Sequence, residues 1–363
     1  MPIRVLVVDD SALMRQLLSE VLGRLPDIEV AGTASDPYVA REKIKALHPD
    51  VLTLDLEMPR MDGLTFLERL MALHPMPVVV LSSFSSRAAD TALQALRLGA
   101  VDCVAKPGGD IRNGLAALQA DLAAKIRSAA AARIGLAPER RPRPTALPRQ
   151  PVSVAATGAS TAVAATGASN VIIAIGASTG GVEALHAVLT ALPPDMPPIL
   201  VTQHMPAGFT TSFARRLNDE CALSVTEAKD RQPVRPGHVY LANGAFHLEL
   251  VRSGLELACR LHDGPPVGGH RPSVDVLFRS VARAAGSRAV GVILTGMGRD
   301  GADGLLAMRR AGARTIGQDE ASCIVYGMPC AARAAGAVEL ELPLQRIPQG
   351  IVDAASALVE AVP

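Results

Sequence analysis

Residues 126–170 cannot supply a packed core, and this stretch divides the rest of the chain. Pro138, Pro142, Pro144, Pro148 and Pro151 punctuate it. Proline fixes φ and lacks an N–H, so neither a helix interior nor a central strand tolerates that spacing. The heptapeptide Val-Ala-Ala-Thr-Gly-Ala-Ser then occurs twice, at Val154–Ser160 and Val163–Ser169. Two short copies are too few for a solenoid, and small residues of this kind make a flexible tether of roughly forty residues. Its six basic and one acidic side chains are solubilising rather than a docking site. Its early part, Ser128–Arg133, is Ala-rich and can prolong a preceding helix. A chain of 363 residues divided in this way is expected to hold two domains, 1–125 and 171–363.

Each flank alternates short apolar runs with helical spacing. In the first, Arg4–Val8, Val51–Leu54, Val78–Leu81 and Val101–Ala105 read as strands, and Leu13–Leu25 has the period of a helix. In the second, strands are expected at Val171–Ile175, Ile199–Thr202, His238–Leu241 and Val290–Thr295. Helices follow them at Val182–Leu192, Thr210–Leu217, Val274–Ala285 and Ala302–Ala311. Near-continuous apolar strands separated by helices imply parallel sheets covered on both faces. The fold class is therefore α/β, two doubly wound parallel-sheet domains, the first flavodoxin-like and the second Rossmann-like.

Composition removes several function classes. The formal net charge is +1, so no global basic field exists to hold nucleic acid or a membrane surface. Three Tyr, six Phe and no Trp leave little for base stacking. Cys103, Cys221, Cys259, Cys323 and Cys330 contain no C-x-x-C and are odd in number, which fits a reducing compartment better than a disulfide framework or zinc ribbon. Cys323 and Cys330 read as core or near-core thiols. Arg4, Asp9 and Asp10 interrupt the N-terminus as a signal peptide, and no apolar run approaches the ~20 residues of a membrane span. A cytoplasmic location is expected, with no membrane insertion.

Chemistry concentrates at the strand ends. Asp9 and Asp10 follow the first strand, Asp55 follows Val51–Leu54, Ser82 ends the next strand and Lys106 the last. Parallel strands end at one sheet edge, where open α/β folds bind ligands. Three carboxylates there repel one another unless a cation intervenes, and oxygen ligands favour a hard ion such as Mg²⁺. A carboxylate nucleophile, a metal, a hydroxyl and an ammonium make a site that accepts a phosphoryl group. Any one of these residues alone would read as a helix cap. Val5–Asp10, the run Leu54-Asp55-Leu56-Glu57-Met58-Pro59 with Met61-Asp62-Gly63, and Lys106-Pro107 resemble a response-regulator receiver domain. That resemblance implies Asp55 as phosphoacceptor, Asp9 and Asp10 as Mg²⁺ carboxylates with Asp55 and the backbone carbonyl of Glu57, Ser82 as switch hydroxyl and Lys106 as the invariant lysine. The position three before Lys106, usually aromatic in the family, is Cys103, so a switch by a rotating ring is in question.

In the second domain, Gly176-Ala177-Ser178-Thr179-Gly180 follows a buried strand and leads into a helix. That is the strand–turn–helix setting in which G-x-S-x-G exposes a nucleophilic serine, with the helix N-terminus favouring developing negative charge. The similar Gly158-Ala159-Ser160-Thr161 has no strand before it and is set aside. The pentapeptide also lacks the spacing of a dinucleotide loop. A serine needs a base. Of eight histidines, His204 lies just past Ile199–Thr202; His186 falls inside a helix, His238 begins a strand, and His247, His262 and His270 lack a comparable place. His270 is the competitor, because Gly268-Gly269 makes its loop mobile enough to reach. Asp300, past Val290–Thr295, is the carboxylate that would orient the imidazole; Asp303 is available as the local helix cap. The Met297 amide is the candidate oxyanion donor. The order Ser178, His204, Asp300 departs from the common hydrolase order, for which Ser178, Asp230 and His270 would serve. The histidines lack zinc spacing, and Met205, Met297 and Met328 read as loop packing.

Ile175–Gly181, Gln203–Thr210, Gly268–Phe278, Leu294–Gly304 and Gln318–Pro329 resemble the catalytic domain of the chemotaxis protein-glutamate methylesterases. With a receiver in front, they match that family's whole architecture. The resemblance places the triad on Ser178, His204 and Asp300 and Arg271–Asp275 near the active site; Asn243 stands where relatives usually have Pro. It implies demethylation of glutamate methyl esters on chemoreceptors, deamidation of receptor glutamines, a chemotaxis histidine kinase as phosphodonor, and no cofactor in the second domain.

Overall fold

The computed structural model describes residues 1–58, 61–83, 85–106, 111–134, 171–254 and 256–360, without the side chains of 86 and 111–117. Pro59, Pro107, Ser160 and both heptapeptide copies lie outside the described residues.

The first domain is built from β1 (Ile3–Val8), α1 (Ala12–Gly23), β2 (Ile28–Ala34), α2 (Pro37–Leu47), β3 (Val51–Asp55), α3 (Gly63–Leu73), β4 (Val78–Ser82), α4 (Ser86–Arg97), β5 (Asp102–Ala105) and α5 (Ile111–Ala130). Its parallel sheet runs β2-β1-β3-β4-β5, the order that places a ligand crevice between β1 and β3. Every residue of β3 and β4 is buried, which is why these strands read as unbroken apolar runs. Ser11, Asp36, Asp62 and Ser85 cap α1 to α4 with side-chain oxygens, satisfying N–H groups that helix starts leave bare. Two expectations change here. The partly exposed strand β2 is additional, and α5 runs past residue 125 to Ala130, so the helix extends into the stretch assigned to the tether.

The second domain contains β6 (Ile172–Ala177), α6 (Gly181–Thr190), β7 (Ile199–Gln203), α7 (Phe209–Glu220), β8 (Ser224–Glu227), β9 (His238–Leu241), β10 (His247–Ser253), β11 (Glu256–His262), α8 (Val274–Ala285), β12 (Ala289–Ile293), α9 (Ala302–Arg310), β13 (Arg314–Gln318), α10 (Met328–Ala334), β14 (Leu340–Leu342) and α11 (Ile347–Glu360). Seven parallel strands run β14-β13-β12-β6-β7-β9-β8. The chain starts in the centre at β6, builds outward through β7, and returns to lie beside β6 as β12. The ends of these three central strands therefore meet at one rim. β10 and β11 form a separate antiparallel hairpin, an exception to the all-parallel expectation. It packs against α8, where the Ser280 hydroxyl accepts the Leu250 N–H at 2.9 Å. Phe209, Phe213, Phe278 and Tyr240 are fully buried; truncating one such Phe typically costs about 3–5 kcal/mol. All five thiols are free, but Cys330 is exposed, so its expected place in or near the core is wrong.

The domains touch along α4, the start of β5 and the end of α5. Arg215 of α7 grips Asp90 of α4 with both distances 2.8 Å, and Arg97 reaches Glu220 at 2.8 Å. Arg216 donates to the Leu93 carbonyl at 3.1 Å. Beyond α5, the Arg133 N–H donates to the Ile324 carbonyl at 3.1 Å, and its guanidinium pairs with Glu320 at 2.6 Å. Most of these pairs are solvent-exposed, and such pairs are worth about 0–1 kcal/mol each. The contact is therefore one that can open.

Candidate active site

At the β1–β3 crevice, one carboxylate oxygen from each of Asp9, Asp10 and Asp55 lies within 4.8 Å of the others. Asp9 and Asp55 are buried and Asp10 is exposed. Lys106 Nζ stands 3.0 Å from Asp9 Oδ2 and 2.7 Å from Asp55 Oδ2. Burial pushes the Asp55 carboxyl up, and Lys106 only partly offsets it. Burial works to lower the Lys106 ammonium, but Asp55 and Asp9 outweigh it and raise it. Asp9 Oδ2 is buried without a hydrogen bond, an orphaned oxygen facing two further carboxylates, so the residues fit a hard cation. The Glu57 N–H donates to Asp55 Oδ1 at 3.1 Å. Ser82 lies at the same edge, but its hydroxyl donates to the Ala88 carbonyl of α4 at 3.0 Å, away from Asp55. Cys103 is buried in β5 with its thiol pushed up to about 12 by burial; it offers no ring to rotate.

In the second domain, the rim at the ends of β6, β7 and β12 assembles a continuous chain of contacts. Ser178 Oγ is 3.1 Å from His204 Nδ1, and His204 Nε2 is 2.8 Å from Asp300 Oδ2. The serine faces Nδ1 and the carboxylate Nε2, the reverse of the commonest triad. Backbone register sets this geometry: the His204 N–H donates to the Ala177 carbonyl at 3.2 Å and the Ser178 N–H to the Thr295 carbonyl at 3.0 Å. Gln203 donates from its buried amide to the carbonyls of Ser178 and His204 at 2.9 and 3.2 Å. A Cβ on Gly181 would lie 2.2 Å from Gln203 Oε1, so only glycine lets this amide approach the elbow.

Asp300 accepts the Ser273 hydroxyl at 2.8 Å and the N–H groups of Val274 and Asp275 at 2.7 and 3.0 Å. It thus also caps α8, whose own cap residue Ser273 makes no side-chain capping bond. Burial alone would push this carboxyl up, but His204, the Asp275 N–H and the Ser273 hydroxyl hold it down to about 2. Met297 lines a cavity of about 390 Å³ together with Ser178, His204, His270 and Arg271. Its N–H donates to no other described residue.

The competing arrangement does not form. Asp230 accepts the Leu261 N–H at 2.9 Å, and His270 stacks on His204 instead of replacing it. Nor is the His270 loop mobile in the way its glycines suggested: Val267 and His270 exchange two backbone hydrogen bonds across Gly268–Gly269, closing a tight turn. His262 does end a strand, β11, but that strand belongs to the hairpin. Gln203, Ser273, Thr295 and His270 were not singled out as parts of the site; Ser273 and His270 lay in quoted motifs, whereas nothing in the residue pattern marked Gln203 or Thr295. The first domain also enters the cavity wall through Asp102, Asp121 and Lys125. Asp102 Oδ2 accepts the hydroxyl of Thr179, the residue after Ser178, at 2.6 Å.

The fold and the two clusters define a phosphoacceptor-type regulatory domain joined to an α/β domain with a serine-hydrolase constellation. Residues 5–119 match the response regulator receiver domain and residues 173–351 the CheB methylesterase family. A protein-glutamate methylesterase/protein-glutamine glutaminase of Xanthomonas campestris pv. campestris is 52% identical over 97% of each chain. One from Yersinia pestis is 54% identical over 96% of this chain and 95% of its own. The methylesterase catalytic domain of Thermotoga maritima CheB superimposes with a TM-score of 0.50 at 38% identity, over 51% of this chain and 98% of that domain. The chain belongs to the protein-glutamate methylesterase/protein-glutamine glutaminase family. Among the described residues, no helix is long and apolar enough to cross a membrane.

Proposed function

We propose that this chain hydrolyses glutamate methyl esters on methyl-accepting chemotaxis receptors, deamidates receptor glutamines, and is switched on by phosphorylation at Asp55. The observation that carries the hydrolase reading is the unbroken contact chain Ser178–His204–Asp300, at 3.1 and 2.8 Å. Ser178 Oγ attacks the side-chain carbonyl carbon while its proton passes to His204 Nδ1. The oxygen turns negative facing the Met297 N–H. The C–O bond to the methoxy group breaks as His204 returns the proton, releasing methanol. Water, deprotonated by the same imidazole, then attacks the acyl-enzyme, leaving free glutamate and restoring Ser178. A glutamine follows the same path with ammonia leaving. Asp300 holds the imidazole and stabilises its charged form.

In the receiver, Asp9, Asp10, Asp55 and the Glu57 carbonyl would hold Mg²⁺, which when bound neutralises charge on the oxygens of an incoming phosphoryl group. Asp55 is the acceptor, Lys106 steadies the added charge, and Ser82 must turn from Ala88 to reach it. The chemotaxis histidine kinase is the donor, and the site of action is the cytoplasm. Methanol release from methylated receptor membranes tests the whole proposal. A small phosphodonor is expected to raise the wild-type rate, and Asp55→Asn to abolish that stimulation; stimulation that survived in the variant would refute the assignment.

The receiver stands over the rim of the hydrolase site, so the unphosphorylated form is the closed one. Moving a pair of domains from 1:99 to 99:1 open takes ~5.5 kcal/mol. The Thr179–Asp102 bond supplies part of the closure, since a hydrogen bond to a charged acceptor is worth about 1.5–3 kcal/mol. Asp102→Ala is accordingly expected to raise methanol release without phosphodonor by roughly tenfold or more. An unchanged basal rate would remove this contact from the closing mechanism.

A further inference from the structure

The imidazole of His270 lies flat on that of His204, with ring centroids 3.9 Å apart and planes 9° from parallel. The chain mounts this ring rigidly. Val267 and His270 exchange backbone hydrogen bonds of 3.0 Å across Gly268 and Gly269, whose φ values are 61° and 87°. A two-residue turn with both φ positive suits glycine alone among ordinary residues. Arg271 donates to the carbonyls of Asp263 and Gly264 at 2.9 and 3.2 Å. Ser273 donates its N–H to His247 Nδ1 at 3.2 Å and its hydroxyl to Asp300. The strip of backbone that carries His270 therefore also anchors the carboxylate on the far side of His204. Neither ring nitrogen of His270 bonds to another described residue, so what it offers His204 is a face.

We propose that His270 is a positioning residue for His204: its neutral ring keeps the base in plane for Ser178 and stabilises the imidazolium formed when Ser178 gives up its proton. The proposal rests on Ser178, His204 and Asp300 acting as a triad. The last torsion of a histidine is broad and roughly two-fold, and two hydrogen bonds alone leave His204 free to rock out of line. A flat ring in van der Waals contact removes that freedom. A cation within ~6 Å of an aromatic face is also attracted to it, so the contact strengthens as His204 becomes charged. The charged groups facing His270 are His204, Asp300 and Lys125 of the receiver; burial, with His204 second, pushes His270 down to about 4. It is then neutral near pH 7, where a second imidazolium would oppose the first.

The test compares His270→Ala and His270→Phe in the full chain, with phosphodonor, by methanol release from methylated receptor membranes. His270→Ala is expected to lower kcat roughly 10- to 100-fold, the scale of a misplaced catalytic group, with KM unchanged. His270→Phe, which keeps a flat face, is expected to restore kcat to within a few-fold of wild type. On a His204→Ala background, His270→Ala should cause no further loss in single-turnover rate. Wild-type kcat in the alanine variant, a phenylalanine variant as impaired as alanine, a loss confined to KM, or an additive loss without His204 would each overturn the proposal. Full turnover by His204→Ala alone would instead overturn the triad beneath it.

Discussion

Replacing Ser178 with alanine is expected to lower methanol release by roughly four or more powers of ten, as losing a triad nucleophile does elsewhere. The fold should be untouched. The Ser178 N–H keeps its bond to the Thr295 carbonyl, and Ser178 Oγ makes its one contact with His204. Alanine removes a single buried oxygen and places nothing new in the elbow. A melting temperature equal to wild type, alongside a residual rate supported by substrate binding and oxyanion stabilisation alone, is the expected pair of results. A variant retaining a hundredth of the wild-type rate would mean that another group is the nucleophile.

Asp300→Asn is expected to cost about four powers of ten as well, by a different route. All four groups that contact the carboxylate are donors: His204 Nε2, the Ser273 hydroxyl and the N–H groups of Val274 and Asp275. An amide presents an oxygen to one pair and an NH₂ to the other. With NH₂ toward His204, the imidazole must carry its proton on Nδ1, facing Ser178, and cannot accept another. With NH₂ toward Ser273 and Asp275, the start of α8 loses its cap, a penalty of about 1–3 kcal/mol for unpaired buried donors. The same carboxyl couples stability to pH. Its folded value of about 2 lies below the model value of 3.8. A depressed acid contributes stability above its unfolded value and loses it as pH falls through the folded one. About 2 kcal/mol should therefore disappear between pH 4 and pH 2. Urea unfolding across that window checks the sign: the wild type should weaken faster than Asp300→Asn, and parallel curves would show that the carboxyl is not held down.

The stretches that carry chemistry were legible because each is an apolar run stopped by a polar residue. Val78–Leu81 before Ser82 and Ile172–Ile175 before Ser178 are buried throughout, and burial writes itself into composition. The strands that escaped are those whose burial is mixed. β2 alternates little and is half exposed, and β13, Arg-Thr-Ile-Gly-Gln, holds one large apolar residue because its neighbours, not its own side chains, cover it. The β10–β11 hairpin escaped because helix-separated strands elsewhere made parallel pairing the default. His270 was misjudged for a related reason: Gly268-Gly269 suggests freedom locally, but two backbone hydrogen bonds convert the same glycines into a fixed turn.

Taken alone, the amino-acid order determined that there are two α/β units, which strand ends bear carboxylates, hydroxyls, an ammonium and an imidazole, and which loops are glycine-rich enough to become elbows. These are local properties, set by side-chain hydrophobicity and backbone sterics within a few residues. Only the tertiary structure decided that His204 presents Nδ1 to Ser178, that Asp300 also caps α8, that His270 lies on His204, and that Asp102 reaches Thr179 across 77 positions of chain. Those contacts depend on the stagger between neighbouring strands and on the docking of one domain against another. Both are governed by distances of a few ångströms between segments that no local pattern connects.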